Sequence, residues 1–577
     1  MKITPLYTLA VLGIFLHGCA SPTINHVPDK DLSSKTVPDQ QQAPKKQVNG
    51  ATPALIYNTL AGEIAAQRGD SSLAFDYAYK AAIETRNAKS AERATGLGLQ
   101  ANQPQQALKA AKLWIEIAPN SLKAHQISAI LNTRLQDLPA TIRHLQRVVE
   151  IANAQGQSGY LQAAAITEKA ASAPQSLAIM QQLIPAESED PDALYALALT
   201  ASRAKQMQLA GEYVDRSLRF KPKATNALIL KAHALIASNK KEAGLNFLAQ
   251  TVEESPDNLT LRNAYARTLV DLNEAEPALA QYQILHRQQP ENPDTLYALG
   301  ILSIQLERLD EAKSHLKKLV EKRQRGNEAS YYLGVISEEQ KQWETALDWY
   351  SRVEGDKQPD AQVRIAKILA DSGSLDEARE TLQRLRVNQS HHHLKFYMIE
   401  AELLRDNLQF EAAHEVYTKA MELFEDNTEL LYARGLNAAD MNRVDLLEQD
   451  LRKILATQPD HADALNALGY TLADKTDRLE EAKAYIERAL SMKPDNPAIL
   501  DSLGWVEFRM GNLQMARDYL QKAATLSPDA EIASHLGEVL WQLGEREQAK
   551  AIWKSANDRE PKNRFIKPVM QRLGVDN

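Results

Sequence analysis

The chain has 577 residues, of which 25% are charged, 44% apolar and only 6% aromatic, values typical of a soluble folded protein. A net charge of −8 spread over this length, with no long block of like charges, argues against a nucleic-acid partner, whose signature is a basic face. The single cysteine, Cys19, excludes an internal disulfide and any cysteine-based metal site, so stability has to come from packing. Abundant Ala and Leu, with Gly and Pro at intervals, favour many similar helices over β structure.

Residues 1–18 open on Met1-Lys2, continue through an apolar run from Leu6 to Leu16 and end in His17-Gly18 before Cys19. A basic start followed by an apolar stretch this short has the shape of a secretory signal and is too short to span a bilayer. The ending Leu16-His17-Gly18-Cys19 resembles the bacterial lipobox, with His17 where that pattern usually has a small residue. The resemblance implies cleavage between Gly18 and Cys19 and acylation of Cys19; two or more acyl chains anchor a protein stably to a membrane. The plain alternative is an ordinary signal peptide with an incidental cysteine. Ala20 follows, where Asp would be the usual inner-membrane retention signal, so the class implies the outer membrane and a periplasm-facing chain. Residues 19–50, rich in Pro, Gln, Lys, Ser and Asp, lack the apolar periodicity needed to form a core and read as a disordered tether.

From Leu55 onward the sequence repeats. Ala210, Gly244, Ala278, Ala312 and Ala346 fall 34 residues apart. A second small-residue series runs in step through Ala198, Ala232, Ala266, Gly300 and Gly334 to Gly469, Gly504 and Gly537. Prolines close the units at Pro222, Pro256, Pro290, Pro459, Pro494, Pro528 and Pro561. Each unit is expected to be two helices whose close crossing admits only Ala or Gly, with proline ending the second helix. Such a unit cannot bury its apolar face alone, so neighbours must stack. The segments Asn466-Ala467-Leu468-Gly469-Tyr470 and Asp501-Ser502-Leu503-Gly504-Trp505 resemble the tetratricopeptide-repeat (TPR) signature, and the spacing is the TPR period. The fold implied is an all-α TPR solenoid, a right-handed superhelix of about fifteen helix-turn-helix units. Its expected organisation is 1–18 signal peptide, 19–50 lipidated cysteine and tether, and 55–157 N-terminal repeats. A degenerate helical hairpin at 158–190, the main array at 191–561 and a capping helix within 562–577 follow.

No phosphate-cradling glycine loop, His-Glu-x-x-His or Gly-x-Ser-x-Gly occurs, so no catalytic residue, cofactor or metal is assigned. The run His391-His392-His393 reads either as an exposed inter-repeat loop or as a weak metal site. In TPR arrays the second, fifth, ninth, twelfth and thirteenth residues of each first helix line the inner groove. Carried onto this chain, that register puts Tyr432, Tyr470, Trp505, Phe508 and Trp541 on the groove side of the last four repeats. Asp440, Asn466, Asp474, Asp501, Arg509 and Glu538 would supply polar contacts among them. Aromatics are effective interface anchors, but some of these can equally pack between repeats, and Trp553 reads as core. The Lys and Asn set of chaperone-binding TPRs is not evident.

A lipobox, a tether and a long array with close-fitting carboxyl-terminal repeats resemble the LbcA-type outer-membrane lipoproteins. That family implies a non-enzymatic adaptor that binds a periplasmic carboxyl-terminal processing protease and brings it to substrates, cell-wall hydrolases included. The alternatives are an assembly factor for an envelope machine (a pilus, polysaccharide export or outer-membrane protein assembly) and a hydrolase with a hidden site.

Overall fold

The computed structural model describes residues 52–388 and 393–575. The signal segment, Gly18, Cys19, the tether, His391 and His392 therefore lie outside the described residues. Within them the chain is all α: thirty-one helices, one short 3-10 turn at Gly355–Lys357 and no strand. Thirty-one is the number that fifteen two-helix repeats and one terminal helix require. None is long and apolar enough to cross a membrane.

The contacts divide the chain into two units, one up to Glu307 and one from Arg308 onward. The first begins with the pair α1 (Pro53–Gln67) and α2 (Ser71–Thr85) and ends with α15 (Pro293–Gln305). The second runs from α16 (Leu309–Glu321) to the terminal helix α31 (Ile566–Arg572). Odd numbers are the first helices of repeats and even numbers the second.

The helix boundaries follow from local chemistry. Asn292, Asn427 and Asn496 cap first helices, each side chain accepting from a backbone amide two or three residues on, which satisfies donors that a helix start leaves open. Pro191, Pro293 and Pro497 occupy the first turn, where no amide is missed. Gly511 and Gly544 take φ of +82° and +86° in the turns inside their repeats, a conformation in which a Cβ is strained. The seven series prolines, Pro222 to Pro561, all fall in turns after second helices.

The small-residue series marks the crossing points. A Cβ on Gly504 would stand 2.6 Å from Leu520 Cγ, and one on Gly469 would stand 2.6 Å from Ile486 and 2.8 Å from the Ala482 carbonyl. At Gly537 the added carbon would overlap the ring of Trp553, which is fully buried. Overpacking of this kind costs about 1–3 kcal/mol. Near residue 158 the helices are short: α7 (Gly159–Ala170) has 12 residues, and α8 (Ala173–Leu183), with Pro174 in its first turn, has 11.

At the end of the second unit, Ile566 and Met570 of α31 join the core formed by Leu536, Val539, Leu540 and Trp553. A terminal repeat needs such a cover to remain soluble.

Candidate protein-binding face

The last four first helices are α23 (Thr428–Asp440), α25 (Ala462–Lys475), α27 (Pro497–Arg509) and α29 (Ala530–Gln542). These helices touch one another in succession, which sets them on the inside of the local curve. Side chains one repeat apart on that face become neighbours.

The groove residues expected from the sequence do converge, but many are occupied by each other. Trp505 is only 7% exposed. Its ring stacks on His535 at 4.3 Å between centroids, lies 5.1 Å from Phe508, and its Nε1 donates to Asp474 at 3.2 Å. Tyr470 reaches past α27 to donate its hydroxyl to Glu531 at 3.1 Å, and burial followed by the nearby carboxylates pushes its pKa up. Asp501, 6% exposed, receives His535 Nδ1 on both oxygens at 2.9 and 3.0 Å.

Arg509 faces the backbone rather than a groove. Its guanidinium donates to the carbonyls of Ala473, Asp474 and Thr476 at 2.5, 2.9 and 3.3 Å, capping the end of α25, whose last carbonyls lack helical partners. Glu538 is 1% exposed and accepts from Arg572 of the terminal helix at 2.7 Å. Asp440 accepts from Arg405 at 2.6 Å and lies 3.8 Å from Arg564. Trp541 is half-buried, with Arg546 over its ring at 5.0 Å and Trp553 6.0 Å away. Trp505, Asp501 and Glu538 are therefore packing and pairing residues rather than open contact points. The half-exposed members are Tyr432, Tyr470, Asn466, Asp474, Phe508, Arg509, Trp541 and Asp440. Among them Asn466 has an enclosed Oδ1 that accepts no hydrogen bond from the protein.

Sequence reasoning missed Glu531, His535 and Arg572. Glu531 occupies the second position of its helix, within the groove register, and both His535 and Arg572 stand 34 residues after their partners Asp501 and Glu538. Opposite charges one period apart were the available signal. Burial lowers the His535 pKa, but Asp501 and then Glu531 outweigh it and raise the value overall. Glu531 is itself raised, by burial first. Among the described residues no group of three or more His, Cys, Asp or Glu is placed to hold a metal ion.

The tetratricopeptide-repeat family model matches residues 297–361, 432–497 and 471–531. Human tetratricopeptide repeat protein 7A is 25% identical over 378 residues, covering 65% of this chain and 37% of its own length. Among solved structures, a thermophilic TPR protein of Thermus thermophilus is 19% identical, covers 31% of this chain and 99% of its own, and has a TM-score of 0.29. Yeast Tom70 is 13% identical, covers 90% and 94%, and has a TM-score of 0.32. The TPR repeat-containing protein PA4667 of Pseudomonas aeruginosa is 31% identical over 533 residues, 92% of this chain and 90% of that protein. A likeness at that level across nearly the whole of both chains means that this chain belongs to the tetratricopeptide-repeat protein family.

Proposed function

We propose that this protein is a non-enzymatic adaptor, anchored to the bacterial outer membrane through a lipidated Cys19 and facing the periplasm. It would bring a periplasmic carboxyl-terminal processing protease to its substrates, cell-wall hydrolases among them. TPR arrays are protein-interaction scaffolds that bind along extended helix faces. The observation that carries the reading is the inner face of the last four repeats. Its aromatic and charged side chains are held in place by Asp501–His535, Tyr470–Glu531 and Glu538–Arg572. Side chains already immobilised lose little entropy when a partner docks. The anchor is supported by the run Leu16-His17-Gly18-Cys19 after an apolar segment.

Two measurements test the two halves. Cys19→Ser should move the protein from the membrane to the soluble fraction, and continued pelleting with membranes would rule out the anchor. For the face, Trp505→Ala is a poor probe, because emptying a buried Trp site costs about 3–5 kcal/mol in stability. Asn466→Arg is the better one, since no protein hydrogen bond to its Oδ1 is lost. It should reduce recovery of the protease roughly tenfold with helicity unchanged, the size of effect that a contact-centre residue produces. Undiminished recovery would remove this face from consideration.

A further inference from the structure

We infer that the first repeat carries a vacant repeat-docking face and that it is filled by the same face of a second copy of this chain, related by a two-fold axis. This is independent of the groove and of the anchor.

The argument rests on register. In the later first helices α5 (Leu122–Arg134), α9 (Pro191–Arg203), α11 (Thr225–Ala237), α13 (Leu259–Asp271) and α15, a small residue marks the crossing with the following helix: Ala129, Ala198, Ala232, Ala266 and Gly300. Five residues before it stand Ala124, Ala193, Ala227, Leu261 and Thr295, and two residues after it Leu131, Thr200, Ala234, Thr268 and Leu302. All ten are buried. The preceding repeat covers them: Ala227 packs with Val214, Leu261 with Leu248 and Val252, and Leu302 with Leu279 and Tyr282.

In α1 the corresponding small residue is Gly62, whose Cβ would meet the Ala74 carbonyl twelve positions on, as that of Gly504 meets Ala516. The two docking positions are therefore Tyr57 and Ile64. They keep the apolar character of a covered face but are 61% and 49% exposed, and Leu60 between them is 59% and Ile56 beside them 49% exposed. Tyr57 rests edge-on against Tyr77 at 5.7 Å. The one charged residue of α1 is Glu63, at the edge of the stripe Ile56, Tyr57, Leu60 and Ile64 and paired with Arg93 at 3.0 Å, and no helix precedes α1 among the described residues.

A second copy fits this face better than the other occupants. The segment 20–50 lacks the helical apolar period that would match the stripe. The opposite end of the chain is covered by α31, which leaves a head-to-head pairing with closed symmetry. Two antiparallel α1 helices crossing at Leu60 set Leu60 against Leu60, Ile64 against Ile56 and Glu63 beside the Tyr57 hydroxyl. The one carboxylate of α1, already paired with Arg93, thus meets a hydrogen-bonding group rather than a like charge. Covered completely, the four half-exposed side chains bury roughly 450–500 Å2 per copy, roughly 900–1,000 Å2 in total, the size of a weak, concentration-dependent association.

The test uses the full chain. Sedimentation velocity should show a concentration-dependent dimer, and Leu60→Lys, a change at an exposed position, should raise its dissociation constant roughly tenfold or more without altering the melting curve. In a Cys19→Ser background, Leu60→Cys should form an intermolecular disulfide under mild oxidation between the two copies of position 60. A monomer at every concentration, or a dimer indifferent to Leu60→Lys with no disulfide at position 60, overturns the proposal. Slow amide exchange along α1 in the monomer would do the same, by showing that the chain covers the face itself.

Discussion

Arg386→Ala is expected to destabilise the repeats on either side of it by about 2–3 kcal/mol, because it takes from a fully buried carboxylate one of its two cations and a charge-assisted hydrogen bond. Glu400, on α21 (His393–Asp406), is completely shielded from solvent. It accepts from Arg379 and Gln383, each at 3.2 Å, and from Arg386, all on the preceding helix α20 (Leu375–Asn388). Arg386 also lies over Tyr397 at 4.1 Å. The cluster crosses the junction between two repeats, where the array elsewhere uses apolar packing, and so a buried carboxylate left with Arg379 as its one cation and with an open Oε2 opposes stacking directly. The double variant Arg386→Ala with Glu400→Gln should recover much of the loss, since the neutral amide needs no counter-ion. Amide exchange over residues 375–421 is the right measurement, because solenoids open locally and a single global free energy does not describe them. Equal protection in parent and Arg386→Ala would show that the buried pair does not stabilise the junction.

The contrast between Glu400 and Gly504 shows what was legible in the sequence. Gly504 recurs because two backbones cross at the same place in every repeat, so steric necessity prints a 34-residue period that one chain reveals. Glu400 has no such period; its role depends on three long side chains of the previous helix reaching it, which spacing alone does not disclose. The inner face lies between these cases. The register found Trp505, Asp501 and Tyr470, but not that they would turn toward His535, Asp474 and Glu531 and leave less of the face open than expected. Tyr57 and Ile64 were hidden for another reason. Their apolar character is ordinary for a repeat, and only their place at the start of the described array makes them exposed.

The buried pair Asp501–His535 gives the second large effect and a definite pH dependence. His535 sits among Asp501, Glu531 and Asp474, with the Tyr470 ring 6.0 Å away, and its pKa is raised in the folded chain. A raised histidine stabilises the fold fully below its unfolded value of about 6.5, and that contribution disappears as pH rises through the folded value. Glu531, also raised, holds its proton more tightly when folded, so its ionisation works against the fold in the same direction as pH increases. Both groups therefore predict that α25 through α29 are best protected in mildly acidic solution and lose protection toward alkaline pH, once exchange rates are corrected for intrinsic pH dependence. His535→Gln should flatten this profile above pH 6, leaving only the Glu531 contribution at lower pH. Asp501→Ala should cost about 1–3 kcal/mol by leaving the buried His535 Nδ1 without its hydrogen-bond partner, and the imidazole should then titrate lower, because the carboxylate that outweighs its burial is gone. Protection that instead rose with pH in the parent chain would mean that His535 is neutral in the fold and that the Asp501 contact is an ordinary hydrogen bond. The same network fixes the half-exposed Asp474 and Phe508 in place, so a variant that loosens it should weaken partner binding in alkaline solution before it unfolds the repeats.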